Sequence, residues 1–226
     1  LSICKENLSA RGLAVVSYNT LPGWNFIKSL RDMMLYHTAR FTDSKEAIRQ
    51  ARALLEFLYE NAQSEAYKKV IEGERQLLSK VNDSYLFHDR LETVNRQFYF
   101  HEVAQMMNGK ELQYVGDSTY TSMYVGNMPK GAMEKLQSVD DIVRQEQYMD
   151  FITNRRFRTT IMTHQGVELN RALNTGAIFD FMLESDIRPA EGQTELKEEM
   201  AFTYNNGTQS LNTRARPTSA LMMEIR

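Results

Sequence analysis

The sequence predicts an α+β fold, mostly α, with a helical bundle-like middle, short strands and a C-terminal β-hairpin. Three observations carry this. Between Trp24 and Val81, apolar residues recur at helical spacing in three successive stripes. Residues 13–16 are a short apolar run, and residues 157–163 alternate between two faces, as strands do. Asn206-Gly207 then sits between two β-rich runs, residues 200–204 and 208–213. Asn-Gly is a strong hairpin signal because both central residues of a type I′ turn need positive φ.

Taken in order, residues 3–10 read as the last turns of a helix closed by Gly12. Leu13-Ala14-Val15-Val16 is the next strand. Ser17-Tyr18-Asn19-Thr20-Leu21-Pro22-Gly23-Trp24 leads it through a Pro-Gly turn into a long helix. That helix, residues 26–41, places Ile27, Leu30, Met34 and Phe41 on one face. Asp43 with Glu46 fits a capping box for a second helix, whose stripe is Ala47, Ile48, Ala51, Leu54, Leu55 and Leu58. Ser64 caps a third, striped by Tyr67, Val70, Ile71, Leu77, Leu78 and Val81. Asn82-Asp83-Ser84 stops it and opens a short helix over residues 85–91. Each stripe needs a partner, so these helices should pack together.

Beyond residue 97 the texture changes. Phe98-Tyr99-Phe100 is strand-like, residues 101–108 form a helix capped by Gly109, and residues 112–115 form a strand ending at Gly116-Asp117. Pro129 opens a short helix. Ser138 with Asp141 makes a capping box for a helix bearing Val139, Ile142, Val143, Met149 and Ile152, and Asn154-Arg155-Arg156 ends it. Residues 178–183 are a second strand candidate, residues 184–194 a loop, and Pro217 starts a last helix.

Composition narrows the function classes. The formal net charge is −2, so no global basic field exists to hold nucleic acid, and no nucleic-acid partner is expected. Cys4 is the only cysteine, which excludes an intramolecular disulfide and fits a reducing, cytoplasmic setting. No run approaches the roughly 18 apolar residues of a span, so no membrane partner is expected. The sequence starts at Leu rather than Met and is expected to be a fragment.

Chemical motifs are sparse. His101-Glu102-Val103-Ala104-Gln105 lacks the second histidine of a zincin helix, and the other histidines are scattered, so no metal site is supported. No glycine-rich phosphate loop is present. The densest basic group is Asn154-Arg155-Arg156-Phe157-Arg158. Its guanidinium groups are a candidate partner or substrate surface, through Asn154, Arg155, Arg156 and Arg158, for a carboxylate, a phosphate or an acidic protein. The plainer reading is that they pair with Glu146, Asp150 and similar carboxylates. The 13 methionines read as adaptable core filler.

Four stretches together carry a resemblance. Gly12-Leu13-Ala14-Val15-Val16-Ser17-Tyr18-Asn19-Thr20-Leu21-Pro22-Gly23-Trp24 resembles the end of the catalytic domain of certain bacterial class I methyltransferases. Phe98-Tyr99-Phe100-His101-Glu102, Leu112-Gln113-Tyr114-Val115-Gly116-Asp117 and Glu146 to Arg158 resemble the domain that comes after it. That second domain is the predicted methyltransferase regulatory domain, found in S-adenosylmethionine-dependent enzymes of protein-lysine type among others. The likeness runs from about residue 12 to about residue 164.

The resemblance implies three parts. Residues 1–22 would be the remnant of a Rossmann-like catalytic domain, 23–165 the regulatory domain, and 166–226 the start of a small mixed region. It implies a regulatory or substrate-recognition role beside a methyltransferase domain of the same chain, acting on a protein substrate; the alternative is an interaction or homodimerisation module. It implies S-adenosylmethionine as cofactor of the intact protein and none in this fragment, which should be inactive alone. No catalytic, cofactor-binding or metal residue is assigned. Ser17, Tyr18 and Asn19, at a strand's carboxyl end, would border the methyl-acceptor site. Val15 and Val16 would lack their sheet, and should pack on the helices, pair with another chain or be poorly ordered.

Overall fold

Capping side chains set the boundaries of the helical part. In the computed structural model, which describes residues 1–172, 175–182, 187–189, 200–204 and 210–213, the long helices are α2 (Trp24–Thr38), α3 (Ser44–Asn61) and α4 (Glu65–Lys80). Asp43 accepts from the Glu46 N–H at the start of α3, and Ser64 accepts from the Tyr67 N–H at the start of α4. Asn82 caps the short helix α5 (Asp83–Leu86), which passes into a π-helical turn, Phe87–Leu91. The predicted stripes meet as expected. Leu30, Met34, Ala51, Leu55, Ile71 and Leu78 form one buried core between the helices.

A second core lies under a four-stranded sheet. Its strands are β1 (Ala14–Thr20), β2 (Gln97–Phe98), β3 (Leu112–Asp117) and β4 (Phe157–His164), in spatial order β2-β1-β4-β3. β1 runs parallel to β2; β4 is antiparallel to both of its neighbours. Helices α6 (Phe100–Asn108) and α8 (Ile142–Thr153) pack against each other beside the sheet, and α7 (Lys130–Leu136) precedes α8. Phe100, Val103, Met107, Leu112, Tyr114 and Met162 are the buried centre, and Ala14, Val16 and Tyr18 of β1 pack against it. The fold class is therefore α+β, mostly α.

Three expectations change. Val15 and Val16 do not lack a sheet: they pair with Ile161 and Thr160 of β4. The N-terminal helix α1 (Ser2–Asn7) is also tied in, through Lys5 to Glu111 at 3.0 Å and His164 Nε2 to the Leu8 carbonyl at 3.3 Å. Leu1–Leu169 thus form one compact unit, with residues 1–22 built into it. The helix after Ser138 starts later than the box implied, because Asp141 itself caps α8 by accepting from the Arg144 N–H.

The second unit, Asn170–Arg226, holds a small antiparallel sheet of β5 (Ile187–Pro189), β6 (Met200–Tyr204) and β7 (Ser210–Thr213). The predicted hairpin strands are the β6–β7 pair; the turn between them and the last predicted helix lie outside the described residues. β5 falls in the stretch read as a loop, on an edge, where Pro189 is tolerated. Thr175–Asp180 is a 3₁₀ turn rather than part of a strand, since a short apolar run does not distinguish the two.

The two cores of the first unit are joined at the Pro22-Gly23 turn. The Leu21 N–H donates to the Phe98 carbonyl at 3.0 Å, and the Gly23 N–H to the Arg155 carbonyl at 3.0 Å. A Cβ on Gly23 would sit 2.6 Å from the Arg155 carbonyl carbon and closer still to the carbonyl oxygens of Asn154 and Arg155. Backbone cannot give way as a flexible side chain would, so glycine is required here by space rather than by φ. Gly23→Ala should therefore lower the unfolding free energy by roughly 1–3 kcal/mol, the usual cost of overpacking. Urea denaturation checks this; an unchanged midpoint would contradict the close packing.

Candidate functional site

The basic group converges where α8 turns into β4. Asn154 ends α8 in the left-handed conformation, φ 49° and ψ 49°, which asparagine tolerates better than most residues. The turn aims Arg155 and Arg158 inward and leaves Arg156 outside. Arg158 is 1% exposed. Its Nε and Nη2 bond both oxygens of Asp150 at 2.8 Å, and Nη2 also bonds Glu146 Oε2 at 2.8 Å. Its guanidinium lies 4.0 Å from the centre of the Phe100 ring. Arg155 pairs through Nε with Asp150 Oδ1 at 2.8 Å and donates to the Ser122 carbonyl at 2.6 Å. Asp117 Oδ2 stands 3.7 Å from Nη1 of each arginine.

Of the four residues predicted as a partner surface, Arg158 is thus an internal strut and Arg155 is largely one. The carboxylates of α8 neutralise them, as the plainer reading held. Asp117 completes the cluster; the sequence shows it only as the end of a strand. Three carboxylates face two guanidinium groups, an excess of one negative charge in a buried place. Burial accordingly raises the carboxyl groups of Glu146 and Asp150 above their ordinary range, against the opposing pull of Arg158.

A cavity of about 590 Å³ opens beside this cluster, lined by Asp117, Ser122, Asn154, Arg155, Arg156 and Thr159 among others. A smaller one, about 260 Å³, lies across the same turn and shares Asn154 and Arg156 as walls. Ser17 bonds Thr159 Oγ1 at 3.2 Å and so adjoins the larger cavity. Tyr18 faces the other way, bonding Thr160 Oγ1 at 3.0 Å; burial pushes its hydroxyl up to about 12. Asn19 donates to Asn95 Oδ1 at 3.0 Å. The three residues predicted at an acceptor site therefore do not converge on one point.

His101 does not stand at a ligand cluster. Its backbone N–H and Nδ1 both lie 3.0 Å from Gln147 Oε1, and its ring stacks on Tyr99. Among the described residues no group of three potential metal ligands is present, and no helix is long and apolar enough to cross a membrane.

Fold and site together define an α+β module with a charged internal cluster and a surface cavity lined mostly by polar residues. Residues 82–164 match the family of the predicted methyltransferase regulatory domain, the family that the sequence resembles. The chain is 46% identical over 211 residues to the uncharacterized protein RP789 of Rickettsia prowazekii, covering 92% of this chain and 37% of that protein. It is 26% identical over 167 residues to the uncharacterized protein sll1526 of Synechocystis, covering 71% of this chain and 32% of that protein. Among solved structures, PKMT2 of Rickettsia typhi in complex with AdoHcy superposes with a TM-score of 0.82 at 36% identity, over 98% of this chain and 44% of that one. The chain thus spans less than half the length of these relatives.

Removing Arg158 would leave carboxylates buried without their partner. Arg158→Ala should cost about 3–5 kcal/mol of stability, a loss that excludes this residue as a mere surface contact. Denaturation of the purified variant measures it, and a change within noise would refute the strut. The raised carboxyl groups predict a pH effect of definite sign. A carboxyl whose folded pKa is raised destabilises the fold when ionised, and the penalty fades as pH falls through that raised value. Glu146→Gln removes the titration, so the variant's stability relative to wild type should increase from about pH 4, the ordinary carboxylate range, to about pH 7. A flat difference across that window would count against it.

Proposed function

We propose that this chain is the regulatory or substrate-recognition region of a bacterial S-adenosylmethionine-dependent methyltransferase acting on a protein. The observation that carries the reading is the match of residues 82–164 to the regulatory-domain family, together with the 0.82 TM-score likeness to PKMT2 bound to AdoHcy. AdoHcy is what S-adenosylmethionine becomes when its methyl group leaves, so that relative holds the spent form of the cofactor. Methyl transfer itself falls to a methyltransferase domain, and this region presents a surface to the protein that is modified. A cytoplasmic setting fits the single cysteine.

The residues at the end of β1 do not fit the cofactor. The turn after β1 is closed, with the Gly23 N–H held by the Arg155 carbonyl, and Ser17, Tyr18 and Asn19 are each hydrogen-bonded within the chain. No open glycine loop and no ribose-facing carboxylate stands at that strand end, so no step of the transfer is derived from these residues.

A second reading, an interaction or dimerisation module, is favoured by the groove between α7 and α8. Leu136, Val139, Tyr148, Phe151 and Ile152 line it, and the last three are all more than 40% exposed. Exchanging residues 23–165 between two such methyltransferases separates the readings. Target preference should follow the exchanged region; if only assembly state follows it, the module is a scaffold. Titration calorimetry with S-adenosylmethionine should give no saturable binding to this chain below about 1 mM, a ceiling of some 4 kcal/mol. Tight binding would overturn the division of labour.

A further inference from the structure

The smaller cavity lies within the first unit, between α2, α4 and the α8–β4 turn, and is lined by Phe26, Ile27, Lys69, Glu74, Asn154 and Arg156 among others. Its chemistry is uneven. Lys69 and Arg156 are exposed, and neither has an ion-pair partner among the described residues. Most other basic groups near the module joint are neutralised: Arg155 and Arg158 by Asp150, and Arg90 by Glu74 and Asp89. Arg156 is held in place by its backbone, whose carbonyl accepts from the Thr20 N–H at 2.9 Å, while its side chain is left for another use.

Two further features share the cleft. Phe26 is 52% exposed at its edge, an aromatic surface without a covering group. Glu74 is 3% exposed, and its Oε2 has no hydrogen-bond partner although Oε1 is taken by Arg90. A buried carboxylate oxygen without a donor is costly, and Arg90 offsets that cost through the other oxygen. The volume, about 260 Å³, is below the range of ordinary small-molecule sites and suits one or two side chains. Across Asn154 and Arg156 the wider cavity continues the path with Thr119 and Thr121, hydroxyl groups suited to a peptide backbone, while the Ser122 and Thr159 hydroxyls are bonded within the chain.

We infer that this cleft binds an extended acidic peptide segment carrying an apolar side chain. A carboxylate lies between Lys69 and Arg156, and the apolar group covers Phe26. The peptide then runs over the Asn154–Arg156 ridge into the hydroxyl-lined cavity. A peptide supplies both kinds of group at once, whereas a simple anion leaves Phe26 unanswered. The inference goes beyond the methyltransferase reading and stands whether or not that reading holds.

The test is fluorescence anisotropy with a labelled hexapeptide of alternating Glu and Leu or Phe. The same peptide with Lys in place of Glu is the control. The acidic peptide should bind saturably to the wild-type chain, more weakly as salt screens the pairing, and the basic one should not. Lys69→Glu and Arg156→Glu should each lower affinity about threefold to tenfold, and together more than tenfold, with melting unchanged because both side chains are exposed. Phe26→Ser should reduce affinity and abolish the advantage of Phe and Leu over Ser in the peptide. Lys45→Glu, outside the cleft lining, should do nothing. Wild-type affinity in the folded double variant, equal binding of the basic peptide, or no saturable binding of the acidic one would each overturn the proposal.

Discussion

The fork of Arg158 is the interaction on which the sheet part depends. It comes from the buried face of β4 and grips two carboxylates one helical turn apart on α8, Glu146 and Asp150. An arginine suits this place because its planar donors meet both oxygens of one carboxylate and still reach another, which an ammonium cannot do. Buried ion pairs add little net stability when complete, yet leave a heavy penalty when broken. The arrangement therefore fixes where α8 lies against β4 more than it strengthens the fold. It also fixes the turn between them, and with that turn the positions of Asn154, Arg155 and Arg156.

That turn also sets the junction between the two cores. Its carbonyls leave room for no side chain at Gly23, so the helical core and the sheet core are set against each other by backbone contact. Trp24, directly after, lies under the Arg90 guanidinium at 5.0 Å, and Arg90 in turn pairs with Glu74 of α4. A chain of charge and ring contacts thus passes from α4 through the π-helical turn to the start of α2. Both surface cavities are walled by residues of the same turn, Asn154 and Arg156.

The sequence made the local features readable. Asp43, Ser64 and Asn82 are caps because a short polar side chain before an apolar stripe has one evident use, and each caps as read. The Asn-Gly hairpin strands were readable for a similar reason. What remained hidden was non-local. Nothing near Val15 announces Ile161 as its partner, since pairing depends on residues brought from far along the chain. The alternation of β4 does not say which face is covered; the face with Arg158, Thr160 and Met162 is buried, while Phe157 is 55% exposed. Placing the bulkiest apolar group inside would pick the wrong face. The density of arginines was visible, but not which of them had partners. Only Asp117, brought next to them by β3, completes that account.

The pairing of β1 with β4 has a consequence for how the chain comes to be folded. Helices α2 to α5 close their core among neighbours in sequence, and such contacts form early and fast. β1 leaves the ribosome before all of them, yet most of its ladder is made with a strand completed only at His164. During synthesis most of it must wait without that partner for about ten seconds at common elongation rates. The helical part can shelter it during that interval only loosely, since β4 does not yet exist. The order of events is therefore set by topology: the bundle first, the sheet last, and the polar turn that carries the surface clefts assembled in the same closing step.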